Sequence, residues 1–417
     1  MRQSFLRILM LGGVVGYLVV LSLNSVGQWL LDHPTAENIR QGIQWNSGNP
    51  SLWTAHARHQ LEPFENPAAQ PAAEAYLKAA ALNPLDPVVW DGLATAYLQM
   101  GEREKAEAAL RTALVAVPRS PYAAWRLANF LVQEGRTQES FPYLRIAATH
   151  EWSLRVPTFD LGWKLLDDPE RIFQEIVPTE PRAREVYLDF LLRTDRLTEA
   201  YLVWSAIRSR SPSVIQRGNR YVERLATAGR GEEAARVWTE LLKDTGRSAT
   251  KPTGELLTNG NFEDRLVNDG LDWRFRNGPG FQVSVDDFVF QQGTRSFRVI
   301  FDGSANPDFA GVQQWVPVEP NRGYRFRGYL KTENINTDSG LRFSISTVAA
   351  PPKEQFVQAT ENRLGSSPWM LEQVEFQTGP NTRMVMVSLR RPPSRKLNNL
   401  IQGKVWIDNL SLTPLSK

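Results

Sequence analysis

Residues 90–118, WDGLATAYLQMGEREKAEAALRTALVAVP, carry two apolar stripes at helical spacing. Trp90, Leu93, Ala94 and Tyr97 form the first, and Ala106, Leu110 and Ala113 form the second. Large residues at i, i+3 and i+7 predict an amphipathic helix, and Gly101 stops it. The small residues of the second stripe predict a second helix packed close against the first. Pro118 ends the pair.

This unit recurs along the chain. Ala72, Ala106 and Ser140 stand 34 residues apart, as do Ala200 and Ala234. Tyr76, Ala79 and Pro84 repeat the positions of Leu110, Ala113 and Pro118, while Leu127, Ala128, Leu131, Leu144 and Ala147 continue the pattern forward. Trp204 and Trp238 occupy one equivalent position, and Tyr187 and Tyr221 another. Five units are visible. In the first, the helix around Trp53 and Ala57 is offset by a loop containing Pro63 and Pro67. From about His150 to Pro181 the register slips, though FDLGWKLL and ERIFQEI still read as helices of a degenerate repeat. The pattern resembles the tetratricopeptide repeat (TPR) and fits its signature positions. That resemblance implies an α-solenoid over 35–245 whose concave surface holds a peptide or another protein.

Helical spacing stops in TGRSATKPTG, Thr245–Gly254, read as a linker over 246–254. Alternation of period two follows. Phe297, Val299 and Phe301 share one face. Tyr324, Phe326 and Leu330 share another, with Arg325, Arg327, Tyr329 and Lys331 opposite. Leu341, Phe343 and Ile345 alternate with Arg342, Ser344 and Ser346, and RMVMVSL and KVWIDNLSL read as two more strands. Many short strands over 255–417 predict an antiparallel β-sandwich or jelly roll. The whole is thus a multidomain α and β chain.

Ile8–Leu23, with Phe5, Leu6 and Val26 around it, is nearly long enough to span a bilayer. Arg2 and Arg7 precede it, and no Lys or Arg follows until Arg40. The expectation is an N-terminal transmembrane helix within an anchor over 1–31. The N-terminus would be cytoplasmic and the rest on the far side. A cleaved signal peptide is the competing reading, but no clean A-x-A site follows.

Composition narrows the function. The chain has 417 residues, 42% hydrophobic, with a net charge of +3 and no cysteine. The small charge argues against nucleic acid as a partner. Without cysteine there are no disulfides and no thiolate chemistry. The four histidines, His33, His56, His59 and His150, all precede the strand-rich part, which excludes a Ser-His-Asp arrangement there. His56 and His59 could share a helix face, but a metal site would need further ligands, and none stand out. Phosphate-binding glycine loops, G-x-S-x-G and HExxH are absent. Adjacent Asp286 and Asp287 would point to opposite faces of a strand. The chain is read as non-enzymatic.

The opening ELLTNGNFE (255–263), Trp273, the stretch VQQWVPVEPNRGYRFRGYLKT (312–332), Pro368-Trp369 and the ending VWIDNLSL (405–412) resemble carbohydrate-binding modules of families four and nine. The resemblance implies a galactose-binding-like jelly roll, with a structural calcium ion where the first and last strands meet. Glu263 and Asp408 are then its candidate side-chain ligands, with backbone carbonyls completing six to eight oxygens. The alternative is that Asp408 caps a turn and Glu263 is solvated.

For a ligand, Tyr329 could stack on a sugar while Arg325, Arg327 and Lys331, beside Arg342, fork onto carboxylates. An acidic polysaccharide would suit that face. The bland alternative is a solvated outer sheet face. Trp273 is a further candidate carbohydrate contact, with packing as its alternative, as for Trp315. Trp369 and Trp406 are read as core, and the basic loop Arg390–Lys396 as exposed. The combined expectation is a scaffold or assembly factor of the bacterial inner membrane, single-pass and facing the periplasm, in envelope or exopolysaccharide synthesis or export. It would bind a protein in the TPR groove and glycan on the jelly roll. The competing expectation is a pure protein scaffold whose jelly roll is a structural cap.

Overall fold

A computed structural model of the protein describes residues 35–62, 68–247, 254–397 and 399–415, with Ser22 and Ser25. The apolar stretch Ile8–Leu23, the loop prolines Pro63 and Pro67 and most of the 246–254 linker lie outside the described residues. No helix among the described residues is long and apolar enough to cross a membrane. The chain divides into two compact units, Met1–Phe190 and Leu191–Lys417.

The first unit begins with α1 (Ala36–Trp45) and three helix pairs: α2 (Pro50–Leu61) with α3 (Ala69–Leu82), α4 (Pro87–Gln99) with α5 (Arg103–Ala116), and α6 (Pro121–Gln133) with α7 (Thr137–His150). Each pair starts in the same way. Proline stands at the first position of α2, α4 and α6, behind Asn49, Asp86 and Ser120. The side chains of these three accept the N–H of Ser51, Val88 and Ala123. Proline gives up an N–H that has no partner there, and the cap satisfies another. The degenerate stretch follows as α8 (Arg155–Leu165), the single turn α9 (Pro169–Arg171) and a π-turn, Ile172–Ile176. Then comes α10 (Pro181–Arg193), which crosses the border of the two units.

The second unit continues with α11 (Leu197–Ile207), α12 (Pro212–Thr227) and α13 (Gly231–Asp244). The same tight turn joins four of the helix pairs. Gly101, Gly135, Asp195 and Gly229 hold it with positive φ. The following N–H reaches back to close the turn: Glu102 to Tyr97, Arg136 to Leu131, Arg196 to Leu191 and Arg230 to Leu225, at 2.8–3.0 Å. Ala72, Ala106, Ser140, Ala200 and Ala234, the fourth residues of their helices, are all fully buried. A small side chain there lets the paired helix approach. Trp204, Tyr187 and Tyr221 are buried too.

The strands form two five-stranded sheets, all pairs antiparallel. They are β1 (Arg274–Phe275), β2 (Phe281–Asp286), β3 (Ser296–Asp302), β4 (Phe309–Pro317), β5 (Gly323–Ile335), β6 (Arg342–Thr347), β7 (Val357–Ala359), β8 (Gly365–Gln377), β9 (Met384–Arg391) and β10 (Gln402–Pro414). The first sheet has the order β1-β4-β9-β6-β7 and the second β2-β3-β10-β5-β8. Phe297, Val299, Phe301, Tyr324, Phe326, Leu330, Leu341, Phe343 and Ile345 are all buried in one apolar core. The alternation in sequence thus becomes a filled sandwich. The first and last segments meet in it. Leu256 N–H donates to Leu412 O, and Leu410 N–H to Gly260 O, at 2.9 and 2.8 Å. A Cβ on Gly260 would lie 2.0 Å from Leu410 O, so this approach requires glycine.

The last helix pair packs on the sandwich within the second unit. Asn219 donates to Asp269 at 3.0 Å, and Arg274 pairs with Glu223 at 2.9 Å. A Cβ on Gly231 would lie 2.1 Å from Arg383 O, and one on Gly270 would lie 2.3 Å from the Trp238 ring. The change of composition at 246–254 marks the passage from helix to strand, while the compact unit begins earlier, at Leu191.

Candidate functional site

Alternation along β5 puts Arg325, Arg327, Tyr329 and Lys331 on the outer face of the second sheet, opposite the buried Tyr324, Phe326 and Leu330. Tyr329 stands half-buried, directly across from Asp408 on β10 and from the exposed Leu371 on β8. Arg325 donates to Glu375 at 2.7 Å, so its charge is matched. Arg327 donates to Gln373 at 3.0 Å, a neutral amide that leaves its charge uncompensated. Lys331 lies 5.5 Å from the Trp406 ring centroid and Lys404 lies 6.0 Å from it.

Other expectations are corrected by position. Trp273 is fully buried, with its indole N–H on Asn259 O at 3.0 Å and its ring against Phe262. No ring face is open to a sugar, so it is a core residue. Arg342 belongs to β6 in the first sheet, not beside Tyr329. Trp369, read as core, is half-buried because β8 is an edge strand. Trp406 is buried, but on the outer face, where its indole N–H donates to Asp286 at 2.8 Å. Trp315 carries the Arg274 guanidinium 4.1 Å from its ring centroid. Of the expected basic loop, Arg390 and Arg391 belong to β9, and Arg391 is fully buried and donates to Ser339 O, Pro307 O and Asn399 O. These carbonyls take the place of a carboxylate and tie three loops together.

The segment 287–295 is held against this sheet by three carboxylates. Asp286 accepts the N–H of Phe288 and Val289 at 2.9 and 3.2 Å, besides the Trp406 indole and Arg298. Asp408 accepts Gln291 and Gln292 N–H through one oxygen, at 2.8 and 3.1 Å, and Asn409 N–H through the other at 2.6 Å. Glu263 accepts Thr294 N–H, Arg295 N–H and the Thr294 hydroxyl, at 2.7, 3.0 and 2.5 Å. Burial pushes the Asp408 carboxyl up, against its three N–H donors. The Thr294 hydroxyl and N–H hold Glu263 low. Asp286 is also held low: burial raises it, but the Trp406 indole and two backbone N–H groups outweigh that.

Glu263 and Asp408 were the expected calcium ligands. Their oxygens take N–H and O–H donors, whereas calcium requires oxygen lone pairs on every side. Among the described residues no three of His, Cys, Asp or Glu gather to hold a metal. The two carboxylates form a hydrogen-bonded clamp on the 291–295 segment. Nothing in the sequence signalled the partners of Asp408, backbone groups 117 and 116 residues away, or those of Glu263, 31 and 32 residues away. In the first unit, His59 pairs with Glu62 at 2.8 Å, and His56 packs edge-on to Trp53.

The helical unit shows a repeated exposed position. Val88, Tyr122 and Val156 are the second residues of α4, α6 and α8, and are 51%, 59% and 37% exposed. Beside them Arg126 of α6 bridges back to Asp91 and Thr95 of α4, at 2.6 and 2.8 Å.

No family model and no curated protein matches the chain. Solved structures do. The CBM22-1 xylan-binding domain of Xyn10C from Paenibacillus barcinonensis is 16% identical, covering 40% of this chain and 99% of that one, at a TM-score of 0.30. A structure described as CBM4 is 16% identical, over 38% of this chain and 99% of that one, at 0.28. YrrB, a TPR protein with an unusual peptide-binding site, is 16% identical over 51% and 94%, at 0.26. At these values no ligand carries over. The chain is similar in its helices to TPR proteins and in its sandwich to carbohydrate-binding modules.

Proposed function

We propose that the protein is a non-catalytic binding scaffold: its helical hairpins engage a protein partner, and the outer face of the second sheet engages a glycan bearing carboxylates. The observation that carries the glycan half is Tyr329, half-exposed between Arg327 and Lys331, with Arg327 held by neutral Gln373. An aromatic face beside uncompensated cations suits an acidic sugar polymer. The repeated exposed apolar position Val88, Tyr122 and Val156 supports the protein half. The anchor over 1–31 and a place in bacterial envelope polysaccharide synthesis or export, with the bulk of the chain periplasmic, complete the reading. Affinity electrophoresis of the full chain through gels holding polyuronate tests it. Retardation relative to a gel holding neutral glucan supports the glycan half, and equal mobility removes it.

A second reading, a protein scaffold with a structural sandwich, is favoured by a different observation. The α12–α13 pair interlocks with the sandwich at Gly231 and Gly270. On that reading, partners from detergent-solubilised membranes are retained by the wild-type chain and lost in Val88→Ser/Tyr122→Ser, with no effect of added polysaccharide.

A further inference from the structure

The helix-pair pattern breaks between α7 and α10, and three arginines gather around the π-turn that replaces it. Arg171 binds Glu175 at 2.8 Å, and its guanidinium lies 5.8 Å from the Phe141 ring centroid. Arg184, in the first turn of α10, lies 4.9 Å from the Phe173 ring centroid. Arg145 stands one turn after Phe141 on α7. Burial weakens its proton affinity; Glu175 acts the other way and Arg184 adds to the loss. The Glu175 carboxylate is already taken by Arg171.

The donors tell the same story independently. Nε and Nη2 of Arg145 and Nε of Arg184 are buried with no hydrogen-bond partner among the described residues. Neither guanidinium makes an ion pair there, and both side chains remain partly open to solvent. A desolvated guanidinium without a counter-ion is costly, and a fold keeps such groups where they meet something. The π-turn is a second irregularity at the same place, of a kind frequent at functional sites.

We propose that Arg145 and Arg184 form a carboxylate site for an acidic peptide segment of the protein partner, a reading that rests on the helical unit's being a partner-binding surface. The planar guanidinium fork matches a carboxylate in shape. Phe141 and Phe173 give the methylenes of a glutamate an apolar wall. The uncompensated charges then find their counter-ion only in the complex.

Titration calorimetry of the full chain at low salt tests this with three probes: pentaglutamate, pentaglutamine and inorganic phosphate. Pentaglutamate binds saturably, pentaglutamine does not, and phosphate binds at least about tenfold more weakly. In Arg145→Leu/Arg184→Leu the pentaglutamate affinity falls about tenfold or more, while Tm rises by roughly 2 °C because unmatched charge has left. Arg145→Lys, which keeps charge but loses the fork, falls between. Unchanged binding by the double variant, a lowered Tm in it, no binding by the wild type, or phosphate as tight as the peptide each overturns the site. If membrane partners stay bound to the double variant, the scaffold reading stands and only the site falls. If the wild type retains no partner, both fall.

Discussion

The Asp408 carboxylate accepts the backbone N–H of Gln291 at 2.8 Å, across the width of the sandwich sequence, and so ties β10 to the segment beside the Tyr329 face. The same oxygen takes Gln292, so two backbone donors depend on one side chain. Asp408→Ala leaves both without this acceptor, and should cost about 1–3 kcal/mol of stability. Asp408→Asn keeps one acceptor and should cost about half of that. Denaturant unfolding of the full chain measures both.

Calcium provides a separate check on the clamp. With N–H and O–H donors on the oxygens of Glu263 and Asp408, millimolar calcium and excess chelator should leave the melting temperature the same. A clear rise with calcium would mean that the carboxylates turn to a metal.

Acid should loosen the clamp in a predictable order. Glu263 and Asp286 titrate lower folded than unfolded, so their contribution is present above the ordinary carboxylate range. It is lost as pH falls through their depressed folded values. Asp408 runs the other way, since its raised value favours the folded state below the ordinary range and loses that as pH rises. The wild type should therefore lose stability on acidification, and Glu263→Gln should flatten that slope. Melting curves between neutral and acid pH show it.

The joint between α13 and the sandwich is testable at a single residue. Gly270 has φ +60°, and a Cβ there would lie 2.3 Å from Trp238. Gly270→Ala combines backbone strain with overpacking and should cost about 2–4 kcal/mol. Gly101→Ala has positive φ but nothing within 4 Å of its Cβ, so it should cost only about 1 kcal/mol.

Much of this architecture was legible because it repeats or alternates. Ala72, Ala106, Ser140, Ala200 and Ala234 announced the helix pairs by spacing, and each is buried as that spacing requires. The inward row of β5 followed from period two. What escaped was set by long-range pairing, which no local pattern encodes. Trp273 and Trp369 look alike in sequence, but one lies between the sheets and the other on an edge strand. Arg342 and Arg325 both alternate with apolar residues, yet their strands belong to different sheets. Arg391 reads as a loop cation and is buried because three carbonyls converge on it. The packing of α12–α13 on the sandwich rests on glycines whose partners are far along the chain.

The most direct measurement is the retardation of the full chain in polyuronate gels, wild type against Tyr329→Ala, Arg327→Gln and Arg325→Gln. Tyr329→Ala and Arg327→Gln should each weaken retention about tenfold, as loss of a stacking ring or an uncompensated charge removes roughly 1.4 kcal/mol. Arg325→Gln should matter less, because Glu375 already holds Arg325. Retention that is absent in the wild type, or unchanged in both Tyr329→Ala and Arg327→Gln, would contradict a glycan-binding face and leave the sandwich as a structural partner of the last helix pair.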